Sequence, residues 1–284
     1  MTDWMKKLVV FDVETTGFDS YNDRIVEIGI AVFEGTRWTH RADYFVNPEG
    51  RVLRQEVIDV HGITTEQVMD APPFYEVYNK IAPYLYDALP VAYNTSFDRR
   101  FITHAVTRTW PRSAFHDLPP CLQLGTRWLD VCPLARACLP DLPGGRYKLT
   151  KVAEHMGFDT KEAHRADWDA LLAGGILLAL MRNNPGLDWS WDATYKRAFD
   201  ADVAYASRKF FWNKPDKDDP ESAWLGKGKP VQLYECDVCH GVAPGKYTKR
   251  GWVEPDHWAH YGSLLTCSSA CDNVAMWHKG ALRS

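Results

Sequence analysis

The chain has 284 residues, enough for about two domains of ordinary size. A net charge of −4 excludes a polycation that coats nucleic acid by bulk charge, and 45% hydrophobic residues exclude a disordered tail. The longest apolar stretch, residues 170–181, is too short to span a bilayer, and the N-terminal apolar run is too short for a signal peptide. We therefore expect a cytoplasmic protein without membrane association, whose seven cysteines are reduced thiols or metal ligands.

Residues 1–185 predict three consecutive strands followed by strands that alternate with helices. Thr64 and Gln67 fit a capping box at the start of a short helix, and Pro83 is expected to bend or interrupt the helix that follows. The order predicts a mixed β-sheet with helices on its faces, an α/β fold. The predicted strands are 7–14, 25–35, 39–48, 90–94 and the start of 126–139, and the predicted helices are 64–72, 74–89, 96–108, the rest of 126–139, 147–158 and 167–182.

The composition changes after about Asn184. The last 99 residues hold seven of the twelve tryptophans, show weak hydrophobic periodicity and contain two loop-like segments, 215–222 and 226–230. We therefore expect one domain over 1–185 and a small aromatic-rich module over 186–284.

Two carboxylates end the first strand. Asp12 and Glu14 are two residues apart, so both side chains point to one face of that strand. A solvated strand end is one interpretation, and a site for a hard cation such as Mg²⁺ is the other. Thr15, Thr16 and Gly17 then predict a tight turn whose backbone N–H groups face an anionic or hydroxyl group of a substrate.

Three further residues extend this acidic pattern. Asp98 lies in the first turn of a predicted helix, where a favourable interaction with the helix dipole would also explain it. His164 and Asp169 are separated by about 140° around a helix, so they cannot share a face. We expect His164 in the loop or first turn before the helix and Asp169 on its inward stripe, where a buried carboxylate needs a partner such as a metal.

Together these segments closely resemble the DEDDh branch of the DnaQ-like 3′–5′ exonuclease family, which includes the proofreading subunit of bacterial DNA polymerase III. The family's four acids match Asp12, Glu14, Asp98 and Asp169, and its histidine matches His164. The resemblance covers residues 6–182. It implies a ribonuclease-H-like fold and the removal of nucleoside 5′-monophosphates from the 3′ end of single-stranded DNA or RNA, with DNA favoured.

The resemblance also implies two divalent cations, Mg²⁺ or Mn²⁺, held by the four acids, and His164 as the general base. Substrate contacts are expected in the turn after the first strand and in two later segments. They are Thr15, Thr16, Gly17, Phe18, His61 and Asn94. Two alternatives stay open: Phe18 as a turn residue that caps the core, and His61 as part of a structural turn. A rim of arginines, with Arg127 and Arg165 among its candidates, would offset the repulsion between the acids and a polyanion.

Two alternatives stay open. Within the same chemistry, the chain would be an exoribonuclease or an oligonucleotidase that trims RNA. In a different class, it would be an inactive exonuclease fold that serves as a binding scaffold. The complete set of four acids and a histidine argues against the scaffold, because a binding module has no need of converging carboxylates.

Four cysteines in the last 50 residues have the spacing of a structural zinc site. Cys236 and Cys239 form one pair, and Cys267 and Cys271 form the second, at the start of an apparent helix. This predicts a zinc-ribbon or treble-clef-like module; four reduced thiols without metal are the alternative. A nearby histidine, His240, His257 or His260, could replace one ligand. Cys121, Cys132 and Cys138 are expected to be ordinary thiols.

The role of the C-terminal module is not determined by its charge, since residues 186–284 have a net charge of zero. A local patch of basic and aromatic residues around Lys246 and Trp252 could hold a single strand. Docking of a protein partner is an equal interpretation, because Trp and Tyr are favoured at interfaces.

Overall fold

The computed structural model describes residues 3–110, 118–119, 122, 127–143, 147–212 and six short strands between 233 and 266, and beyond residue 205 it describes backbone elements only. The chain divides into two compact units, Met1–Ala198 and Phe199–Ser284. The predicted domain boundary near 185 stays a prediction. Among the described residues, no helix is long and apolar enough to cross a membrane.

The first unit is built on a five-stranded mixed sheet, as predicted. The strand order is β3-β2-β1-β4-β5; β1, β2 and β3 pair antiparallel, whereas β4 and β5 run parallel to β1. The strands are β1 Leu8–Thr15, β2 Ile25–Glu34, β3 Arg37–Phe45, β4 Leu89–Ala92 and β5 Leu129–Asp130.

Helices cover this sheet. Two of them, α1 (Gln55–His61) and α8 (Trp191–Trp212), were not predicted. The capping box at α2 is confirmed, since the Thr64 N–H donates to Gln67 Oε1 at 2.7 Å. Pro83 does not interrupt α3, which ends two residues later at Leu85. The helices are α1 Gln55–His61, α2 Thr65–Met69, α3 Phe74–Leu85, α4 Thr95–Thr109, α5 Val131–Cys138, α6 Leu149–His155, α7 Ala166–Asn183 and α8 Trp191–Trp212; a short 3-10 turn, Asp3–Met5, precedes β1.

The alternation of β1 assigns its residues to two separate cores. Val9, Phe11 and Val13 belong to the core that includes α3 and α4. Leu8 and Val10 belong to the core that includes α5, α6 and α7. Because side chains alternate along a strand, Asp12 and Glu14 continue the Leu8–Val10 side toward α7. The strand thus directs both carboxylates to the helix that carries Asp169.

Six short strands follow in the second unit and pair as three antiparallel hairpins. The four predicted zinc ligands Cys236, Cys239, Cys267 and Cys271, and the thiol Cys121, lie outside the described residues. Cys132 and Cys138 are reduced thiols, as predicted. The strands are β6 Leu233–Glu235, β7 Val242–Pro244, β8 Lys246–Thr248, β9 Gly251–Val253, β10 Ala259–Tyr261 and β11 Leu264–Thr266, paired β6-β7, β8-β9 and β10-β11.

Candidate active site

Asp98 is brought to β1 by the unequal lengths of two paired strands. β4 pairs with β1 only as far as Phe11, so the following residues of β1 have no strand on that edge. The buried backbone N–H of Val13 needs another acceptor there, and it donates to Asp98 Oδ1 at 3.1 Å. The Asp98 carboxylate, 3% exposed, therefore lies beside the backbone that joins Asp12 to Glu14.

A second carboxylate, which sequence reasoning missed, holds the start of α4. Asn94 is in the left-handed region, with φ of 71°, a conformation that costs energy for any residue except glycine. Asp130 accepts hydrogen bonds from the backbone N–H groups of Asn94 at 3.1 Å and Thr95 at 2.9 Å. The same side chain accepts from the Cys132 N–H at 3.0 Å and so caps α5. Asp130 thereby aligns the helix that presents Asp98.

Asp169 approaches β1 because a glycine lets α7 come close to the sheet. Gly29 pairs with Asp12 across the β1–β2 ladder. A Cβ atom at Gly29 would lie 1.9 Å from the carbonyl carbon of Ala166, so no larger residue fits beneath the first turn of α7. Asp169 is 8% exposed and shares its inward stripe with buried Ala173 and Ile176, as predicted.

His164 lies in the turn before α7, also as predicted. It is exposed, and its φ of 76° places a non-glycine residue in the left-handed region. Its backbone N–H donates to Asp169 Oδ2 at 3.2 Å, which joins the histidine segment to the acid five residues later. The side chain is accessible to a molecule that approaches from solvent.

The four acids of the motif destabilise one another as anions. Burial, followed by the charges of Asp98, Glu14 and Asp169, raises the pKa of Asp12 well above its ordinary value. Burial also raises the pKa of Glu14 to about 8, with Glu27 the largest charge contribution. The pKa of Asp98 is raised well above normal, and that of Asp169 to about 6, mainly by burial in both cases.

This charge distribution suits divalent cations. Buried carboxylates with raised pKa values gain stability from a nearby positive charge, and oxygen donors are the ligands that Mg²⁺ prefers. Asp169 Oδ1 is buried without a hydrogen-bond partner and is free to be a ligand. Within the described residues, no group of three or more His, Cys, Asp or Glu side chains already has the geometry to hold a metal ion. The carboxylate oxygens therefore fit the predicted cations by their chemistry and not by an already formed coordination geometry.

A fifth carboxylate, Glu27, joins the cluster and was missed by sequence reasoning. It lies on β2 directly opposite Glu14 and is completely buried. Its Oε2 accepts from the Ala166 N–H at 3.2 Å, and its Oε1 lies 3.2 Å from Arg165 Nη2. Burial raises the pKa of Glu27 to about 7. The sequence signal that could have revealed Glu27 was a single charged residue within the apolar run of β2.

The predicted substrate turn is held mainly by its own hydrogen bonds. Thr15 Oγ1 donates to the Gly17 carbonyl at 2.6 Å, and Thr16 Oγ1 donates to Asp23 Oδ1 at 3.0 Å. The Thr16 N–H, expected to face the substrate, instead donates to the Arg24 carbonyl at 2.9 Å, because the turn closes on itself. A Cβ at Gly17 would lie 2.4 Å from Asp23 Oδ2, so a larger residue there would displace the Asp23 carboxylate that accepts from Thr16.

The other predicted substrate residues lie in different environments. Phe18 is 77% exposed, with its ring 6.4 Å from that of Phe97, the neighbour of Asp98. His61 is buried; its Nδ1 accepts from the Ile63 N–H at 3.0 Å, and burial lowers its pKa. Asn94 is exposed at the start of α4.

Two arginines of the expected basic rim are engaged within the protein. Arg165 pairs with Glu27 and with Asp43, and the guanidinium of Arg127 lies 4.7 Å from the centre of the Tyr195 ring. Both interactions compete with a substrate phosphate, so these residues contribute less to a basic rim than their charge suggests.

The mixed sheet, with carboxylates of β1, α4 and α7 clustered beside β1, indicates an exonuclease-type α/β domain. The family model described as Exonuclease, RNase_T, matches residues 9–177. The chain therefore belongs to the RNase_T exonuclease family.

Known relatives agree with this assignment. DNA polymerase III PolC-type of Oceanobacillus iheyensis is 32% identical over 174 residues, which are 61% of this chain and 11% of the relative. The 3′-5′ exonuclease DinG of Bacillus subtilis is 31% identical over 177 residues, 62% of this chain and 18% of the relative. DNA polymerase III subunit epsilon of Treponema pallidum is 28% identical over 160 residues, 56% of this chain and 69% of the relative. The match thus covers only a small part of the PolC and DinG relatives.

A solved structure supports the fold. The nuclease domain of 3′hExo, titled a DEDDh family member bound to rAMP, has a TM-score of 0.52 and 18% identity over 64% of this chain and 95% of that one. The expected ribonuclease-H-like fold of the first unit is consistent with this similarity.

Proposed function

We propose that this protein is a metal-dependent 3′–5′ exonuclease of the DEDDh type, acting on single-stranded nucleic acid in the cytoplasm and releasing nucleoside 5′-monophosphates. The supporting observation is the convergence of four carboxylates, from β1, α4 and α7, beside an exposed histidine; Asp98 and Asp169 are buried, whereas Asp12 and Glu14 are half-buried. Asp98 reaches β1 through the Val13 N–H, and Asp169 reaches it because Gly29 has no side chain. A scaffold would have no reason to retain such mutually destabilising acids.

Asp12, Glu14, Asp98 and Asp169 would hold two divalent cations, Mg²⁺ or Mn²⁺. When bound, such ions supply an activated water and offset the charge of the phosphate and leaving oxygens. His164 would act as general base, because its exposed imidazole can accept the proton of the attacking water on a ring nitrogen. The hydrogen bond from the His164 N–H to Asp169 keeps that base next to the acids.

Phe18 would stack on the terminal base, since it is exposed and its ring lies edge-on 6.4 Å from that of Phe97, the neighbour of Asp98. Thr15, Thr16 and Gly17 would shape the turn beneath the sugar, while His61 and Asn94 would border the strand. DNA is the favoured substrate, because relatives in sequence are named as DNA polymerase III proteins. RNA is the second candidate, because a protein of the same fold is described with bound rAMP.

The test is an assay with 5′-labelled single-stranded DNA and RNA, each with Mg²⁺, Mn²⁺ or chelator. We expect a ladder that shortens from the 3′ end only when metal is present, and the relative rates identify the preferred sugar. Absence of cleavage for both polymers and for short oligonucleotides would overturn the proposal in favour of the scaffold.

Asp12→Asn is the matched variant for this assay. It removes a charged ligand while keeping the shape of the side chain, so we expect kcat to fall about 10³-fold or more. Stability without metal should not decrease, because one member of a repelling cluster becomes neutral. Retained activity would contradict the assignment of Asp12 as a ligand.

We further propose that Cys236, Cys239, Cys267 and Cys271 bind one structural Zn²⁺ in a module that spans 186–284. The support is their spacing and their position in the sequence: the first pair falls between the paired strands β6 and β7, and Cys267 directly follows β11. Measurement of the zinc content of purified protein tests this. We expect about one zinc per chain, lost in Cys239→Ser and kept in Cys138→Ser.

A further inference from the structure

Glu27 is a carboxylate that the proposed chemistry does not use. It is the completely buried third residue of β2, where its neighbours along the strand are buried and apolar, and it lies opposite Glu14. Burying a carboxylate is costly unless it is paired and hydrogen-bonded. Its presence there needs a structural or functional gain that offsets this cost.

Two groups at the start of α7 contact Glu27. Three consecutive residues of that segment are held by carboxylates. The His164 N–H donates to Asp169 Oδ2, the Arg165 guanidinium pairs with Glu27 Oε1 and also with Asp43, and the Ala166 N–H donates to Glu27 Oε2. Glu27 thus makes two of the contacts that define where this segment begins its helix.

The sheet register explains why β2 and β3 can supply these contacts. Glu27 and Gly29 are two residues apart on β2, and Asp43 pairs with Gly29 from β3, so all three lie on the α7 side of the sheet. Arg41, two residues before Asp43, pairs with Asp167 in the first turn of α7 at 3.0 Å. The first turn therefore rests on a polar row of the sheet, whereas the rest of α7 rests on an apolar core.

The segment that Glu27 holds is one that would not keep its conformation alone. His164 has a positive φ, which costs on the order of 1 kcal/mol for a residue with a side chain. Catalytic groups must be held within about 0.5 Å of their productive position. The backbone at His164 is therefore expected to need contacts from other elements of the fold to hold its conformation.

Resting on the exonuclease function proposed above, we propose that Glu27 is a positioning residue that fixes the segment from His164 to Asp169 over the carboxylates of β1. It acts through the Ala166 N–H and the Arg165 guanidinium. Glu27 Oε2 accepts from the Ala166 N–H and Glu27 Oε1 lies beside the Arg165 guanidinium, so the role that we propose is positioning rather than metal binding.

The test compares Glu27→Met, Glu27→Gln and a control, Glu34→Gln, at an exposed position of the same strand. Met removes both contacts. Gln keeps an oxygen acceptor for the Ala166 N–H and loses the charge that pairs with Arg165. Each variant is measured for kcat, KM and Mn²⁺ affinity by calorimetry, below its melting temperature.

We expect Glu27→Met to lower kcat or Mn²⁺ affinity by about 10–100-fold, the range typical of residues that orient metal ligands. KM for the oligonucleotide should change by less than about 3-fold, Glu27→Gln should recover part of the loss, and Glu34→Gln should match the wild type. Wild-type kcat and Mn²⁺ affinity in folded Glu27→Met would overturn the inference.

If Glu27→Met does not fold, the Glu27→Gln variant distinguishes a positioning role from a role in stability alone. Wild-type kcat and Mn²⁺ affinity in Glu27→Gln, with only a lower melting temperature, would assign Glu27 a role in stability alone. If the wild type itself hydrolyses nothing, the proposed function fails, and Mn²⁺ affinity still tests the positioning role.

Discussion

The two helices that carry acids to β1 are held in different ways. α4 begins beside an unpaired strand edge, and its first residues are capped by Asp130, which is half-buried and makes three hydrogen bonds to backbone N–H groups. α7 begins over a paired region of the sheet, where Gly29 provides the space and the fully buried Glu27 provides the acceptor.

At the N-terminus of both α4 and α7, backbone N–H groups donate to a carboxylate that is not itself one of the four acids. This arrangement satisfies unpaired N–H groups and complements the helix dipole. The free-energy cost of burying the carboxylate differs between the two helices. Asp130, the acceptor at α4, is partly solvated, whereas Glu27, the acceptor at α7, is desolvated and ion-paired. Changes at α7 should therefore affect activity more strongly than changes at α4.

The largest expected effect is at His164, the proposed general base that precedes α7. His164→Ala should lower kcat by about 10²–10⁴-fold, because the proton acceptor is lost, while Mn²⁺ affinity stays within about 3-fold of the wild type. The control is His155→Ala, an exposed histidine at the end of α6. Equal activity in both variants would remove His164 from the mechanism.

Gly29→Ala tests the close approach of α7. The new methyl group would overlap the Ala166 backbone, so α7 or β2 must shift. We expect a loss of about 1–3 kcal/mol of unfolding free energy, a melting temperature about 3–10 °C lower, and a fall in kcat at temperatures where the variant is folded.

Gly186→Ala is the control for that substitution, since a Cβ there meets open space. A fully active Gly29→Ala protein with unchanged stability would show that α7 need not lie so close to the sheet.

The raised pKa values around α7 predict a pH effect in the absence of metal. The folded chain holds protons on Glu14 to about pH 8, on Glu27 to about 7 and on Asp169 to about 6, whereas the unfolded chain releases them near pH 4. The stability that these three groups contribute is therefore greatest at low pH and is lost as pH rises through these values.

Melting curves in chelator should fall by about 5 °C or more between about pH 5 and 8.5. Mg²⁺ should flatten this dependence, because the cations replace the protons. A melting temperature in chelator that rises with pH would contradict the raised pKa values.

The smallest effect is expected at the cap of α4. Asp130→Asn keeps one acceptor oxygen and loses the second, along with the charge that favours a helix N-terminus. We expect a loss of about 1 kcal/mol and a melting temperature about 2–4 °C lower. A fall in kcat as large as that of Glu27→Met would mean that the two helix starts are equally critical.

Local patterns in the sequence predicted the strands, most helices and the placement of the four acids. Alternation along β1 predicted a common face for Asp12 and Glu14, and helix geometry predicted His164 before α7 with Asp169 on its inward stripe. α8 was missed because its apolar residues lack clear periodicity. The substrate role of the turn after β1 could not be judged from residue types, since the same groups close the turn.

Contacts across long stretches of chain were decided by the tertiary structure. The Val13–Asp98 and Glu27–Ala166 hydrogen bonds join residues 85 and 139 positions apart. These two hydrogen bonds depend on strand pairing and on the close approach of Gly29 to α7. Neither feature can be predicted from the local pattern of residues along the chain. The sequence by itself thus determined which residues have the chemistry of a nuclease. Only the folded sheet decided which further carboxylates, Glu27 and Asp130, hold them in place, because a buried charge is tolerated only where distant backbone and side-chain partners meet it.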